Sequence, residues 1–142
     1  MSQIHALLFD EFSKLPLFQG VPPGDLEQLL QVAHRKQCQA GEFFFLQDDP
    51  AQNMYVLLEG RVKLSQAGPD GGQVLIRVIT PVSLFALVAM TAVSNYLVTA
   101  QAAEDSLALY WTRQQLMEFM RRTPQTAHNA MRIMAERLQE IQ

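Results

Sequence analysis

Few side chains in these 142 residues carry the chemistry of a catalytic or metal site: three histidines (His5, His34 and His128) and one cysteine, Cys38. A small metal enzyme built on short strands needs His and Glu ligands clustered on adjacent strands. Only His34 falls near a predicted strand, and at its edge, so no catalytic or metal residue is assigned. A solvated or capping role suits His5 and His34, and nothing nearby in sequence argues for a role of His128, early in the last helix. One cysteine excludes an intrachain disulfide framework and fits a reducing compartment. Cys38 reads as a small buried hydrophobe rather than a redox switch. The Arg121-Arg122 pair closes a helix, where positive charge suits the dipole.

Charge and composition remove further classes. The net charge is -3, and no basic stripe of the kind a free-standing nucleic-acid binder displays is present. With 49% hydrophobic and 18% charged residues the chain has ordinary globular composition and the size of one domain. No apolar run has bilayer length, and the opening MSQIHALLFDEF lacks a basic n-region and a cleavage site. A cytoplasmic protein that does not enter the membrane is expected.

The elements are dominated by residues 41–81, a row of short apolar strands broken by Gly, Asp and Pro turns at intervals of about ten residues, the rhythm of a compact β barrel or roll. Turns are read at Ala40-Gly41, Gln47 to Pro50, Glu59-Gly60, Gly68 to Gly72 and Thr80-Pro81. Pro69-Asp70-Gly71-Gly72 between two apolar runs is a hairpin turn, because Gly and Asp tolerate positive φ. In the second run Val74, Ile76 and Val78 share one face and Leu75, Arg77 and Ile79 the other. Residues 84–90, LFALVAM, are apolar on every side and predict a short buried helix. Strands are predicted over 96–102 and 106–111.

Helices flank this unit. Ile4, Leu7, Leu8 and Phe12 follow Ser2 at helical spacing, and Val21-Pro22-Pro23 opens a second helix whose apolar face is Leu26, Leu29, Leu30 and Ala33. Thr112-Arg113-Gln114-Gln115 is a capping-box pattern that opens a short helix with Leu116, Phe119 and Met120 inward. Thr123-Pro124 then starts a helix that runs to the end. In it Ala127, Met131, Met134, Leu138 and Ile141 recur at spacings of four, three, four and three, the seam of a coiled coil. Dimerisation is preferred over packing on the helix's own domain, because the seam reaches the penultimate residue with no C-cap. The abrupt end reads as a helix cut short.

This order of elements, with LPLFQGVPPGDLEQLLQVA, AGEFFFLQDDPAQNMYVLLEGRVKLS, PDGGQVLIRVI, SNYLVTAQA and MAERLQ, resembles the cyclic-nucleotide-binding domain. More narrowly, it resembles the sensor domain of bacterial regulators of the catabolite-activator and FNR family. The resemblance covers nearly the whole chain. It implies a mainly β fold with flanking helices, a jelly roll (double-stranded β-helix) followed by a long C-terminal dimerisation helix. Residues 1–122 would be the effector-sensing β-roll domain with its N-terminal helices, and residues 123–142 the start of the dimerisation helix. The DNA-binding helix-turn-helix that follows in the family is absent from this chain, so DNA would be a partner only through that domain. Gly41, Gly60 and Gly71 or Gly72 match the family's turn glycines, and Asp48 replaces another.

The resemblance also locates the pocket and shows what it lacks. In the family a Gly-Glu takes the ribose, and an Arg about ten residues on neutralises the phosphate. Ala86-Leu87 and Ser94-Asn95-Tyr96 stand there instead, and the family's base-contacting hydroxyl pair would align with Ile141 and Gln142. An unpaired buried phosphate costs several kcal/mol, more than weak hydrogen bonds from Ser94 or Asn95 return. Ordinary cyclic AMP binding is therefore not expected. Leu84, Phe85, Ala86 and Leu87, with Val74 and Ile76 opposite, would line an apolar cavity. This resembles the haem-associated, nitric-oxide-responsive branch, which shows an Asn-Tyr-like motif where SNYLVTAQA stands. Haem usually takes an axial ligand, and His5, His34, His128, Cys38 and Met90 are the candidates. The iron–sulfur variant needs several N-terminal cysteines, which this chain lacks.

Two function classes remain. One is the effector-sensing domain of a transcription regulator, in which an effector shifts the population of two dimer arrangements. The other is a ligand-free dimerisation module with a filled roll.

Overall fold

The computed structural model describes residues 3–91 and 95–141. Its elements are α1 (Gln3–Ser13), a 3-10 turn (Pro16–Phe18), α2 (Pro23–Gln31), β1 (His34–Cys38), β2 (Phe43–Phe45), β3 (Asn53–Glu59), β4 (Val62–Ala67) and β5 (Gln73–Ile79). They continue with β6 (Ser83–Phe85), a second 3-10 turn (Leu87–Met90), β7 (Thr99–Ala102), β8 (Ser106–Thr112), α3 (Arg113–Arg122) and α4 (Pro124–Ile141). The chain forms two compact units, residues 33–113 and residues 1–32 with 114–142.

The first unit is the expected jelly roll: two four-stranded antiparallel sheets in the orders β1-β8-β3-β6 and β2-β7-β4-β5. Phe44, Phe45, Tyr55, Leu57, Val62, Phe85 and Tyr96 are among its buried core side chains. Adjacent residues of a strand normally face opposite ways. A register shift between Phe43 and Phe45 breaks that alternation, and Phe44 and Phe45 both join the core. The turn after β3 depends on Gly60. Its φ is +95°, and a Cβ there would sit 2.2 Å from Ser106 Oγ and 2.5 Å from the Asp105 carbonyl oxygen. Asp48, in place of a family glycine, holds φ at +74°, a left-handed conformation that Asp tolerates better than most residues.

Two expectations need correction. Residues 84–90 are not one buried helix: Leu84 and Phe85 belong to β6, pairing with Val56 and Tyr55 of β3, and only Leu87–Met90 turns. The break is Ala86, whose φ of +66° swings the chain out of the strand. The strand expected over 96–102 begins only at Thr99, because Asn95 and Tyr96 instead pair with the loop before β3.

The second unit is helical. The Phe12 and Phe18 rings lie 4.5 Å apart, and Phe18 meets Phe119 edge-on. Helix α4 carries a buried polar side, on which Asn129 Nδ2 donates to the carbonyls of Leu17 (2.9 Å) and Gln19 (2.8 Å). Gln125 Nε2 donates to Asn129 Oδ1. These bonds satisfy carbonyls at the 3-10 turn that would otherwise be orphaned in the interior.

Candidate functional site

The site is built on the strand–turn passage from β6 to Tyr96. Phe85 stacks on its cross-strand partner Tyr55 with ring centroids 5.0 Å apart, so β6 sets the height at which the chain leaves the sheet. Ala86 then adopts the left-handed conformation that glycine takes most cheaply, and the buried 3-10 turn follows. Leu87 is 2% exposed, and Ala89 and Met90 are buried beside it. From Phe85 to Tyr96 the sequence holds no charged residue.

Tyr96 closes the passage. Its ring stacks on Phe45 at 3.8 Å, and its hydroxyl donates to the Asn53 carbonyl (2.8 Å) while accepting from the Asn53 amide (3.0 Å). Its own backbone exchanges bonds with the loop, the Asp48 amide donating to the Tyr96 carbonyl and the Tyr96 amide to Asp49. Burial pushes the Tyr96 phenol upward, and pushes Tyr55 further in the same direction, so both are held neutral. Rings of Phe44, Phe45, Tyr55, Phe85 and Tyr96 thus make one continuous packed group.

The structure brings Phe85 and Tyr96 together in the core of the roll, with Ala86 half-buried against them, whereas Leu87 is buried outside that cluster and Leu84 is half-buried on β6. Asn95 is exposed, bridging to Pro50, and Ser94 lies outside the described residues. Val74 and Ile76 do not join this group. They lie on β5, the outer strand of its sheet, and are 53% and 54% exposed. One residue that sequence reasoning passed over belongs here. Arg113 donates from its guanidinium to the Thr91 carbonyl, at the end of the 3-10 turn, and to Ala51. A positive charge in the first turn of a helix opposes the dipole, which is the signal that could have found it.

On α4 the expected seam is turned outward. Met131 and Leu138 are 68% and 64% exposed, Ala127 and Met134 are half-buried, and the Ile141 side chain lies outside the described residues.

Residues 35–123 match the family model of the cyclic nucleotide-binding domain. The chain belongs to this family. It is 29% identical over 125 residues to the cyclic AMP receptor protein of Thermus thermophilus, covering 88% of this chain and 58% of that protein. A CRP-like cAMP-activated global transcriptional regulator of Mycobacterium tuberculosis is 23% identical, with 86% and 54% covered. The chain thus spans about half the length of these relatives. Among solved structures, the Thermus thermophilus catabolite activator protein superposes with a TM-score of 0.82 at 28% identity, covering 89% of this chain and 59% of that one. The sensor domain of the transcriptional regulator DNR from Pseudomonas aeruginosa gives 0.83 at 22% identity, with 98% and 93% covered, a likeness of fold alone. The chain is thus a cyclic nucleotide-binding domain, similar in sequence to transcription regulators of the cyclic AMP receptor type. No helix among the described residues is long and apolar enough to cross a membrane.

Against that family's ligand the site is altered where it matters. Ala86 holds a left-handed conformation, the one expected of a glycine, and Leu87 after it is a buried apolar side chain that offers no carboxylate. Haem fits the described residues no better. His34 is exposed and stacked on Tyr110, and His128 is exposed on α4. The Cys38 thiol donates to the Phe43 carbonyl and burial raises its pKa, leaving it protonated rather than ready to ligate. Met90 is buried, and the His5 side chain lies outside the described residues. No described histidine or thiolate is placed as an axial ligand.

Proposed function

We propose that this domain is the effector-sensing and dimerisation domain of a CRP/FNR-type transcription regulator that does not hold a cyclic nucleotide in the usual way. The observation that carries this is the left-handed Ala86 followed by Leu87: on the resemblance this pair takes the place of the family's Gly-Glu, and a leucine brings no carboxylate to receive a ribose. From Phe85 to Tyr96 the sequence itself offers a phosphate monoanion no charged partner, and the Arg113 guanidinium nearby is bonded to the carbonyls of Thr91 and Ala51.

The finer reading, nitric-oxide sensing through haem, has in its favour the fold likeness to the DNR sensor domain and the Asn95-Tyr96 motif. Among the described candidates, His34, His128 and Cys38 are not placed to supply its axial bond, which leaves the buried Met90. A second reading, a roll occupied by its own side chains and serving only interaction, is favoured by the Tyr96–Phe45 stack. Dimerisation is supported by the exposure of Met131 and Leu138 on a helix whose other side is buried and hydrogen-bonded. DNA contact would belong to a helix-turn-helix outside this chain.

Two titrations and one sedimentation measurement on the purified domain separate these. Calorimetry with cyclic AMP and cyclic GMP is expected to give no saturable heat up to millimolar ligand; saturation below that overturns the proposal. Haemin addition with a sharp Soret band and one haem per chain supports the nitric-oxide branch, and diffuse superstoichiometric uptake removes it. Sedimentation is expected to show a dimer that Met131→Glu with Leu138→Glu converts to monomer.

A further inference from the structure

Arg113 is a basic side chain tied into the passage between Phe85 and Tyr96. Its guanidinium donates to the Thr91 carbonyl and to the Ala51 carbonyl, 3.4 Å away. Its backbone amide donates to the Gln52 carbonyl at 2.7 Å. Thr91 is the C-cap of the 3-10 turn Leu87–Met90, and Arg113 is the first residue of α3. The end of a helical turn presents unsatisfied carbonyls and a partial negative charge, to which one arm of the guanidinium fork is directed while the other reaches the loop at Ala51.

The loop before β3 is held from a second direction. Tyr96 fastens it through Asn53, Asp48 and Asp49, while Arg113 fastens it through Ala51 and Gln52. Movement of the 3-10 turn can therefore leave by these two ties, among others such as its packing on β3. The Tyr96 tie leads back into the loop, and the Arg113 tie leads directly to the N-terminus of α3. Arg at that position opposes the α3 dipole, a cost that its bonds to Thr91 and Ala51 offset.

We propose that Arg113 is a positioning residue that reports the placement of Leu87–Thr91 to the first turns of α3, so that an effector seated against the 3-10 turn alters α3 through this side chain. The part concerning an effector rests on the sensor reading above; the mechanical link between the two segments does not. Val88 and Leu87 need only shift the Thr91 carbonyl by about an ångström to lengthen a hydrogen bond past its useful range. Arginine can follow one carbonyl only by loosening the other, because both bonds share one rigid plane.

The test is amide hydrogen exchange on the domain without ligand, comparing wild type, Arg113→Gln, Arg113→Lys and Tyr96→Phe. In Arg113→Gln, exchange is expected to rise about tenfold, the equivalent of one lost hydrogen bond, both at residues 88–91 and at 116–119. Arg113→Lys keeps the charge but not the fork, and is expected to protect one of the two segments and not both. Tyr96→Phe is expected to speed exchange at residues 48–53 and leave 116–119 unchanged. Near-wild-type fluorescence from the single, buried Trp111 reports that each variant is folded. If Arg113→Gln is folded and only one segment responds, or neither, the link is absent. If Arg113→Gln does not fold, Arg113→Lys decides: equal protection of both segments in it overturns the proposal. The sensor reading is judged separately, by haemin or cyclic AMP addition. A ligand that protects 88–91 in wild type must also protect 116–119, and in Arg113→Gln it must protect 88–91 alone.

Discussion

Strands β3 and β5 are each seven residues long and comparably apolar, NMYVLLE against QVLIRVI, yet their surroundings are opposite. In β3 Met54, Tyr55, Val56 and Leu57 are all buried, which means both faces are covered. In β5 every residue but Ile79 is exposed, Leu75 at 57% and Ile76 at 54%. The difference is position. β3 has β8 on one side and β6 on the other, whereas β5 hydrogen-bonds only to β4 at the rim of its sheet. Composition makes a strand; its place in the sheet decides whether that strand is core. This is also why Val74 and Ile76, assigned to the pocket by their alternation, stand apart from Leu87 and Tyr96.

The comparison can be broken most sharply at Tyr55, whose ring meets Phe44, Phe45 and Phe85. Tyr55→Ala is expected to cost about 3–5 kcal/mol in urea denaturation, as large core truncations do. Gly60→Ala, at the end of the same strand, comes next at about 3 kcal/mol, because the new methyl collides with backbone at Asp105 and Ser106 in a left-handed conformation. A loss below about 1 kcal/mol there would mean that the turn rearranges freely.

A smaller effect appears with pH. Burial first, and the neighbouring Tyr96 second, raise the Tyr55 pKa above that of the unfolded chain. Folding therefore favours its neutral form. The stability this gives is complete below the unfolded value of about 10 and is lost as pH rises through it. Urea midpoints measured from pH 7 to 11 are expected to fall at the alkaline end, and to fall less in Tyr55→Phe.

The smallest effect is expected at the rim. Leu75→Ser or Ile76→Ser should change the stability of the monomer by no more than about 0.5 kcal/mol, the usual range for exposed positions. A loss comparable to that of Tyr55→Ala would show that β5 is covered in the solution species.

What could be read from the residues follows the same division. Turns after β1, β3 and β4 were legible because Gly41, Gly60 and Gly71 hold positive φ, which few other residues adopt cheaply. The α4 helix was legible because helical periodicity is local. Burial of β3 against exposure of β5 was not, since it depends on which strands lie alongside, a property of the whole sheet. The break at Ala86 was hidden because alanine is a poor choice for the left-handed region, so LFALVAM reads as one helical run. Arg113 was hidden because its partners, Thr91 and Ala51, are carbonyls distant in sequence, and any residue type supplies a carbonyl.

Cys38 has a practical consequence at the bench. It is the single thiol, 5% exposed, donating its proton to the Phe43 carbonyl and kept protonated by burial. Maleimide and methanethiosulfonate reagents attack thiolates that solvent can reach, so the native domain offers them a silent background. A cysteine placed at exposed Met131 would then take up a spin label alone, and a pair of such labels would measure the distance between helices in solution directly.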